Sequence, residues 1–269
     1  MKTPDSLPEL AACLSIEAIP AADMTHDFFM ENYFNTRTPV VLKDACSNWE
    51  FMQKWTLDYL TTELGDYQCT VARDSRPAFS KETCSLKDYF QDYSHLSTIT
   101  FEPFDPENKD LPRFLEDIPL PNPFFSKNDI SAYFFFHANE KGGSLPHCHM
   151  DAFNLLQKGT KRWVMYDADP EIAPHGWEIL KKCHEEYAKG THSKDWFIDG
   201  PNQARREGVT IYDGVQEIGD IVFIPEHFSH AVLNLSETQG MVIIAERAGK
   251  AFNKEEGSGY SPNSVHADR

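Results

Sequence analysis

Apolar positions along this 269-residue chain change their period near residue 130. Before that point they recur at helical spacing; from Ser131 onward they alternate or cluster as strands do. DFFMENYFN (27–35) has a helical apolar stripe, and THDFF offers a cap at Thr25 or Asp27. TPVVLKD (38–44) reads as a short buried strand. WTLDYLTTELGD (55–66) reads as an amphipathic helix that Thr56 caps and Gly65 ends. CTVARD is then a strand and SLKDYFQDY a short helix. The proline-rich stretch from Pro103 to Pro123 reads as loop, with a turn or two of helix in PRFLED.

The second half reads SAYFFFHA, PHCHMDAFNLLQ and KRWVMYDA, β-rich runs broken by a Gly-Gly pair and by the turn-like KGTK. A helical insert, PHGWEILKKCHEEYAK, follows, and the strands resume with VTIYDG, GDIVFIPE, HAVLNL and GMVIIAER. Helices first and short strands afterwards predict a mainly β protein, a barrel or double-sheet jelly roll under a helical N-terminal cover. We expect a single domain over 1–250, with a helical part over about 1–130 and a barrel core over about 131–250. Residues 251–269 form a polar tail expected to be disordered.

Composition narrows the function. The formal net charge of −17 argues against direct binding to a nucleic-acid backbone and is compatible with a protein or peptide partner, a basic one in particular. No run of about 18 apolar residues suggests a membrane span, and the N-terminus lacks the apolar stretch of a signal peptide. Cys13, Cys46, Cys69, Cys84, Cys148 and Cys183 are scattered without a CxxC pair. They read as free thiols, and the expected location is cytoplasmic or nuclear.

The chemistry concentrates in HCHMDAFNLLQKGTKRW (147–163). Taken as one strand, it places His147, His149 and Asp151 on the same face. Burying two imidazoles and a carboxylate is costly unless something satisfies them, and a divalent metal does so. Two histidines and one carboxylate with open positions are the donor set of non-haem Fe(II) oxygenases. One strand supplies only part of such a set. The distant ligand expected is His230, which follows the turn in GDIVFIPEHFSHAVLNL; His227 competes from a corner position that suggests a more exposed side chain.

HMDAFNLLQKGTKRWVMY resembles the JmjC signature, in which H-x-D leads through an asparagine-containing strand to G-x-K-R-W. GDIVFIPEHFSHAVLNL resembles the distal motif of that family, and TPVVLKDACSNWEFMQKWTLDYLTTELGD its N-terminal element in small stand-alone members. The resemblance implies a double-stranded β-helix of cupin/JmjC type and an oxygenase using Fe(II), 2-oxoglutarate and O2. Matched residue by residue, it makes His149, Asp151 and His230 the iron ligands and catalytic centre. It places Lys161 at the far carboxylate of 2-oxoglutarate, and Asn154 and Asn234 near the cosubstrate. Both asparagines serve equally well as links between backbone groups of neighbouring strands, so two readings of each stand. The chain departs from the family at Phe228-Ser229, where two aromatics often stand. It departs again in TITFEPF, where Thr100 and Phe101 are nearest to a tyrosine expected to touch the cosubstrate. His147 has no family role and is placed beside the metal or on the substrate side.

The resemblance favours hydroxylation of a protein side chain. Lysine demethylation by the same chemistry is the alternative. Two others are a non-catalytic metal-binding interaction module and a four-ligand zinc site of His147, His149, Asp151 and His230. The insert around 174–205, with Trp177, Lys181, Lys182, Trp196, Arg205 and Arg206, is read either as a wall of a substrate cleft or as a surface elaboration.

Overall fold

A computed structural model describes residues 10–73, 82–93, 97–101, 116–118, 130–188 and 190–245. The tail from Ala251, and nearly all of the stretch from Pro103 to Pro123, lie outside the described residues. Two sheets make the frame. The larger has nine strands in the order β2 (Glu17–Pro20), β3 (Val40–Lys43), β12 (Ile221–Ile224), β9 (Asp151–Lys158), β14 (Thr238–Ala245), β7 (Ile130–Ala138), β6 (Ser97–Phe101), β4 (Gln68–Arg73) and β5 (Glu82–Ser85). The smaller runs β1 (Cys13–Ser15), β11 (Ile211–Gln216), β10 (Lys161–Asp167), β13 (Phe228–Asn234) and β8 (Gly143–His147). This is the expected jelly roll.

Strand alternation sorts the side chains into three layers. On β9, Phe153 and Leu155 join the first core cluster, whereas Ala152 faces the other way into the space between the sheets. β12 repeats this, with Ile221 and Phe223 outward and Val222 and Ile224 inward. On the smaller sheet Trp163 and Met165 point inward, while Val164, Tyr166 and Ala231 point away into a third cluster. Each layer holds fully buried aromatics or aliphatics, worth about 1.5–3 kcal/mol apiece against exposure.

The first cluster lies under the N-terminal helical cover. Phe29 and Tyr33 come from the helix His26–Phe29 and its continuation Met30–Phe34, and Phe51 and Trp55 from the helix Glu50–Lys54 and its C-cap. Both expected caps form: Thr25 Oγ1 accepts from Phe28 N at 3.2 Å and Thr56 Oγ1 from Tyr59 N at 3.3 Å. The third cluster seats the insert. Pro174–Ala188 is helical as expected, and a second helix, Ser193–Arg206, runs straight through Gly200-Pro201. A Gly-Pro pair is a strong breaker signal, but burial of Phe197, Pro201 and Ala204 overrides it.

Two further features were not legible in the pattern. β1 and β2 hem one edge of each sheet by parallel pairing with β11 and β3. Ile16 between them reaches the interior. The run PHCHMDAFNLLQ is not one strand: β8 stops at His147 and β9 starts at Asp151, so the chain crosses from the smaller sheet to the larger within 148–150. All six cysteines are free thiols. Among the described residues no helix is long and apolar enough to cross a membrane.

Candidate active site

A cavity of about 190 Å³ opens between the sheets. His147, His149 and His230 mark one polar part of its wall, Lys161, Asn154 and Asn234 another, and Ile224, Val232 and Val242 are apolar lining. The fold explains each position. His230, Val232 and Asn234 alternate along the inner face of β13, and Lys161 and Trp163 do so on β10. Antiparallel pairing sets Lys161 opposite Asn234 and His147 opposite His230. Gly143, at φ 146°, lets β8 lie against Val232 and Leu233, where any side chain would strike the Val232 carbonyl.

Each of the three histidines offers a ligating nitrogen, and these lie within 4.8 Å of one another. Ring centroids are 4.1 Å apart for His147–His230, 4.6 Å for His149–His230 and 5.6 Å for His147–His149. In every case Nδ1 meets a backbone carbonyl: His147 with Leu145 O at 2.9 Å, His149 with Met150 O at 2.7 Å, His230 with Phe228 O at 3.0 Å. A carbonyl only accepts, so each Nδ1 carries the proton and each Nε2 keeps a lone pair. Burial, reinforced by the neighbouring ring of His149, pushes His147 down to about 4. It lowers His149, and it lowers His230 further with help from both neighbours. Three neutral imidazoles with free Nε2 atoms have nothing to donate to one another. A divalent transition metal satisfies all three, so the residues present fit one.

Of the three ligands expected from the sequence, His149 and His230 come together. Asp151 does not join them: it is 1% exposed, and its Oδ1 accepts from Glu226 N at 2.8 Å. His147, which the sequence left aside, stands in the cluster. His227 sits at the corner with φ 61° and is half-buried, its N donating to His149 O at 3.1 Å; it is outside the cluster.

Lys161 is 5% exposed, and burial lowers its pKa well below the ordinary lysine value. Its Nζ lies 3.4 Å from the ring centroid of Phe136 and 5.8 Å from that of Trp163. Among the described residues no carboxylate pairs with it. Asn154 Oδ1 and Asn234 Oδ1 are buried without a hydrogen-bond partner, while Asn234 Nδ2 donates to Asn139 O at 3.2 Å. A buried lysine and two unused amide oxygens in one cavity mark the place of a polar ligand. Phe136, the residue beneath the ammonium, was missed; the run YFFF hid which aromatic faces inward until β14 fixed the register. Trp163 donates from Nε1 to Gln216 Oε1 at 3.0 Å, and Gln216 Nε2 donates to Asn154 O at 2.8 Å, tying the two sheets behind the cavity.

The insert does not wall the cavity. Its apolar residues back the outer face of the smaller sheet, His184 Nε2 meets Pro146 O at 3.2 Å, and Lys182 and Arg206 pair with Glu207 and Asp199. Thr100 and Phe101 lie on β6, where they are the Cα partners of Phe136 and Phe135 on β7.

Fold and site together define a jelly-roll protein whose interior gathers three histidines and a buried lysine in one cavity. Residues 25–245 match the cupin-like domain family, and the chain belongs to that family, in its JmjC oxygenase branch. Arginine-specific demethylase JMJ22 of Arabidopsis thaliana is 25% identical over 234 residues, which cover 78% of this chain and 42% of that protein. Bifunctional arginine demethylase and lysyl-hydroxylase psr-1 of Caenorhabditis elegans is 24% identical over 246 residues, 82% of this chain and 58% of that protein. JmjC domain-containing protein 8 of Homo sapiens is 26% identical over 225 residues, 80% of this chain and 78% of that protein. The chain thus spans about half the length of the first two relatives.

Proposed function

We propose that this protein is an Fe(II)- and 2-oxoglutarate-dependent oxygenase that hydroxylates a side chain of a protein substrate. The observation that carries this reading is Lys161, a buried lysine without a carboxylate partner among the described residues, in the same cavity as the histidine cluster. A dicarboxylate reaching from the metal to Lys161 supplies the missing negative charge, and binding it favours the protonated ammonium. Bound iron and 2-oxoglutarate supply the oxidative chemistry, in which O2, 2-oxoglutarate and a substrate C–H group become succinate, CO2 and a C–OH group.

The chain's own residues do the rest. His149 and His230 hold the metal, their rings oriented by backbone carbonyls. Lys161 would hold the far carboxylate, and the Asn154 amide, turned so that Nδ2 faces the cavity, would donate to it, while Asn234 keeps its Nδ2 on Asn139 O. Ile224, Val232 and Val242 keep water from the reacting end. A net charge of −17 suits a basic peptide as substrate. Demethylation, which the names of the plant and nematode relatives carry, begins with the same hydroxylation, at a methyl group.

The test is succinate formation with Fe(II), ascorbate, 2-oxoglutarate and a pool of basic peptides. The reading expects peptide-dependent turnover that Lys161→Ala abolishes. A protein that binds metal but neither binds nor consumes 2-oxoglutarate contradicts it.

A further inference from the structure

We infer that the metal ligands of this protein are three histidines, His147, His149 and His230, and that Asp151 is a structural clasp outside the coordination sphere. The inference rests on the reading of the cavity as a metal site, but not on the oxygenase reaction.

Two registers of the motif compete in His147-Cys148-His149-Met150-Asp151. His149-x-Asp151 preserves the letters H-x-D. His147-x-His149 preserves the place, at the end of a strand that pairs with the strand of the distal histidine: His147 is the Cα partner of His230 across β8 and β13. The chain then leaves the smaller sheet, and Asp151 already belongs to β9 in the other one. On β9 the cavity-facing residue is Asn154, so parity puts Asp151 on the opposite face with Phe153 and Leu155. Asp151 is absent from the cavity wall, while all three histidines are in it.

Asp151 also has a different task. Its Oδ1 accepts from Glu226 N at 2.8 Å, and His149 O accepts from His227 N at 3.1 Å. These two bonds fasten the corner at 225–227 to the segment that carries His149. The corner leads directly into β13, so the clasp sets where His230 starts. A carboxylate turned inward would leave Glu226 N without this acceptor. Meanwhile His147 is placed as a ligand: its Nδ1 is engaged by Leu145 O, and of the three ring pairs in the cluster its own with His230 is the closest.

The ligand class follows. Three neutral nitrogen donors leave the full charge of a divalent ion uncompensated, so an anionic co-ligand binds to the metal more strongly than it would beside a carboxylate. Loss of the oxygen donor shifts preference towards nitrogen-seeking ions of the later first row.

The probe is Cu(II) alone, added to the full chain at one equivalent, with bound imidazoles counted by pulsed EPR. Three are expected in the wild type. Asp151→Asn should keep the count and the one-to-one stoichiometry while its melting temperature falls. His147→Gln should lose one imidazole and weaken metal binding by at least about tenfold. Two imidazoles in the wild type, or a count that Asp151→Asn alters and His147→Gln does not, overturn the assignment while leaving the oxygenase reading intact. A wild-type protein that takes up no copper, zinc or iron overturns both. The wild-type count needs no substitution, so it decides the matter even if a variant misfolds.

Discussion

The histidine and lysine parts of the cavity hold their polar groups in opposite ways. At the histidine cluster every ring is tied through Nδ1 to a backbone carbonyl, so tautomer and orientation are set before any ligand arrives. At Lys161 the ammonium has aromatic faces nearby and no carboxylate among the described residues. The first is a finished binding site, costly in backbone geometry and cheap to fill. The second is a charge deficit that a ligand must complete. On the proposed reading, ordered binding is expected, with the metal first and the dicarboxylate second.

The comparison breaks most sharply at the metal. His230→Ala should abolish metal uptake at concentrations that saturate the wild type, and cosubstrate binding with it; isothermal titration of both ligands checks this. Lys161→Met is the complementary change. It should leave the metal in place and weaken 2-oxoglutarate by about 30- to 1000-fold, the 2–4 kcal/mol that truncating one partner of a buried charge pair costs. If it weakens the metal equally, the two parts are not separate.

A smaller effect sharpens the lysine half. Burial depresses the Lys161 pKa in the folded, ligand-free protein, so below about 10.4 the unfolded chain binds more protons there. That cost to stability grows as pH falls through this window, by about 1.4 kcal/mol per unit until the folded pKa is reached. Ligand-free Lys161→Met should therefore be more stable than the wild type near pH 7, by a margin that narrows as pH rises towards 10. Denaturant melts at several pH values measure it; a margin independent of pH would mean that the lysine is satisfied in the empty protein. Smallest is the loss of a remote support: Thr56→Ala removes a helix cap in the N-terminal cover and should cost about 1 kcal/mol without touching either ligand.

The same contrast explains what could be read from the sequence. Lys161 was marked by the match to G-x-K-R-W and His230 by the corner that precedes its strand, because β10 and β13 are buried on both faces and show no clean alternation. The jelly roll and its helical cover were legible because the apolar period changes once and caps such as Thr25 and Thr56 punctuate it. Alternation set His147, His149 and Asp151 on one face without ranking them, and it does not carry across 148–150, where the chain changes sheets. The hydrogen bond from Glu226 N to Asp151 joins residues far apart in sequence, and no local pattern shows such a bond. The helix through Gly200-Pro201 was hidden for the converse reason, a local breaker overruled by packing against the smaller sheet.

A crystal structure of the full chain with Mn(II) and 2-oxoglutarate, collected with anomalous data, tests the central claim most directly. A manganese peak is expected within bonding distance of Nε2 of His147, His149 and His230, with the far carboxylate of 2-oxoglutarate on Lys161 Nζ. A manganese peak outside this cavity, or an ordered 2-oxoglutarate that leaves Lys161 unpaired, would contradict it.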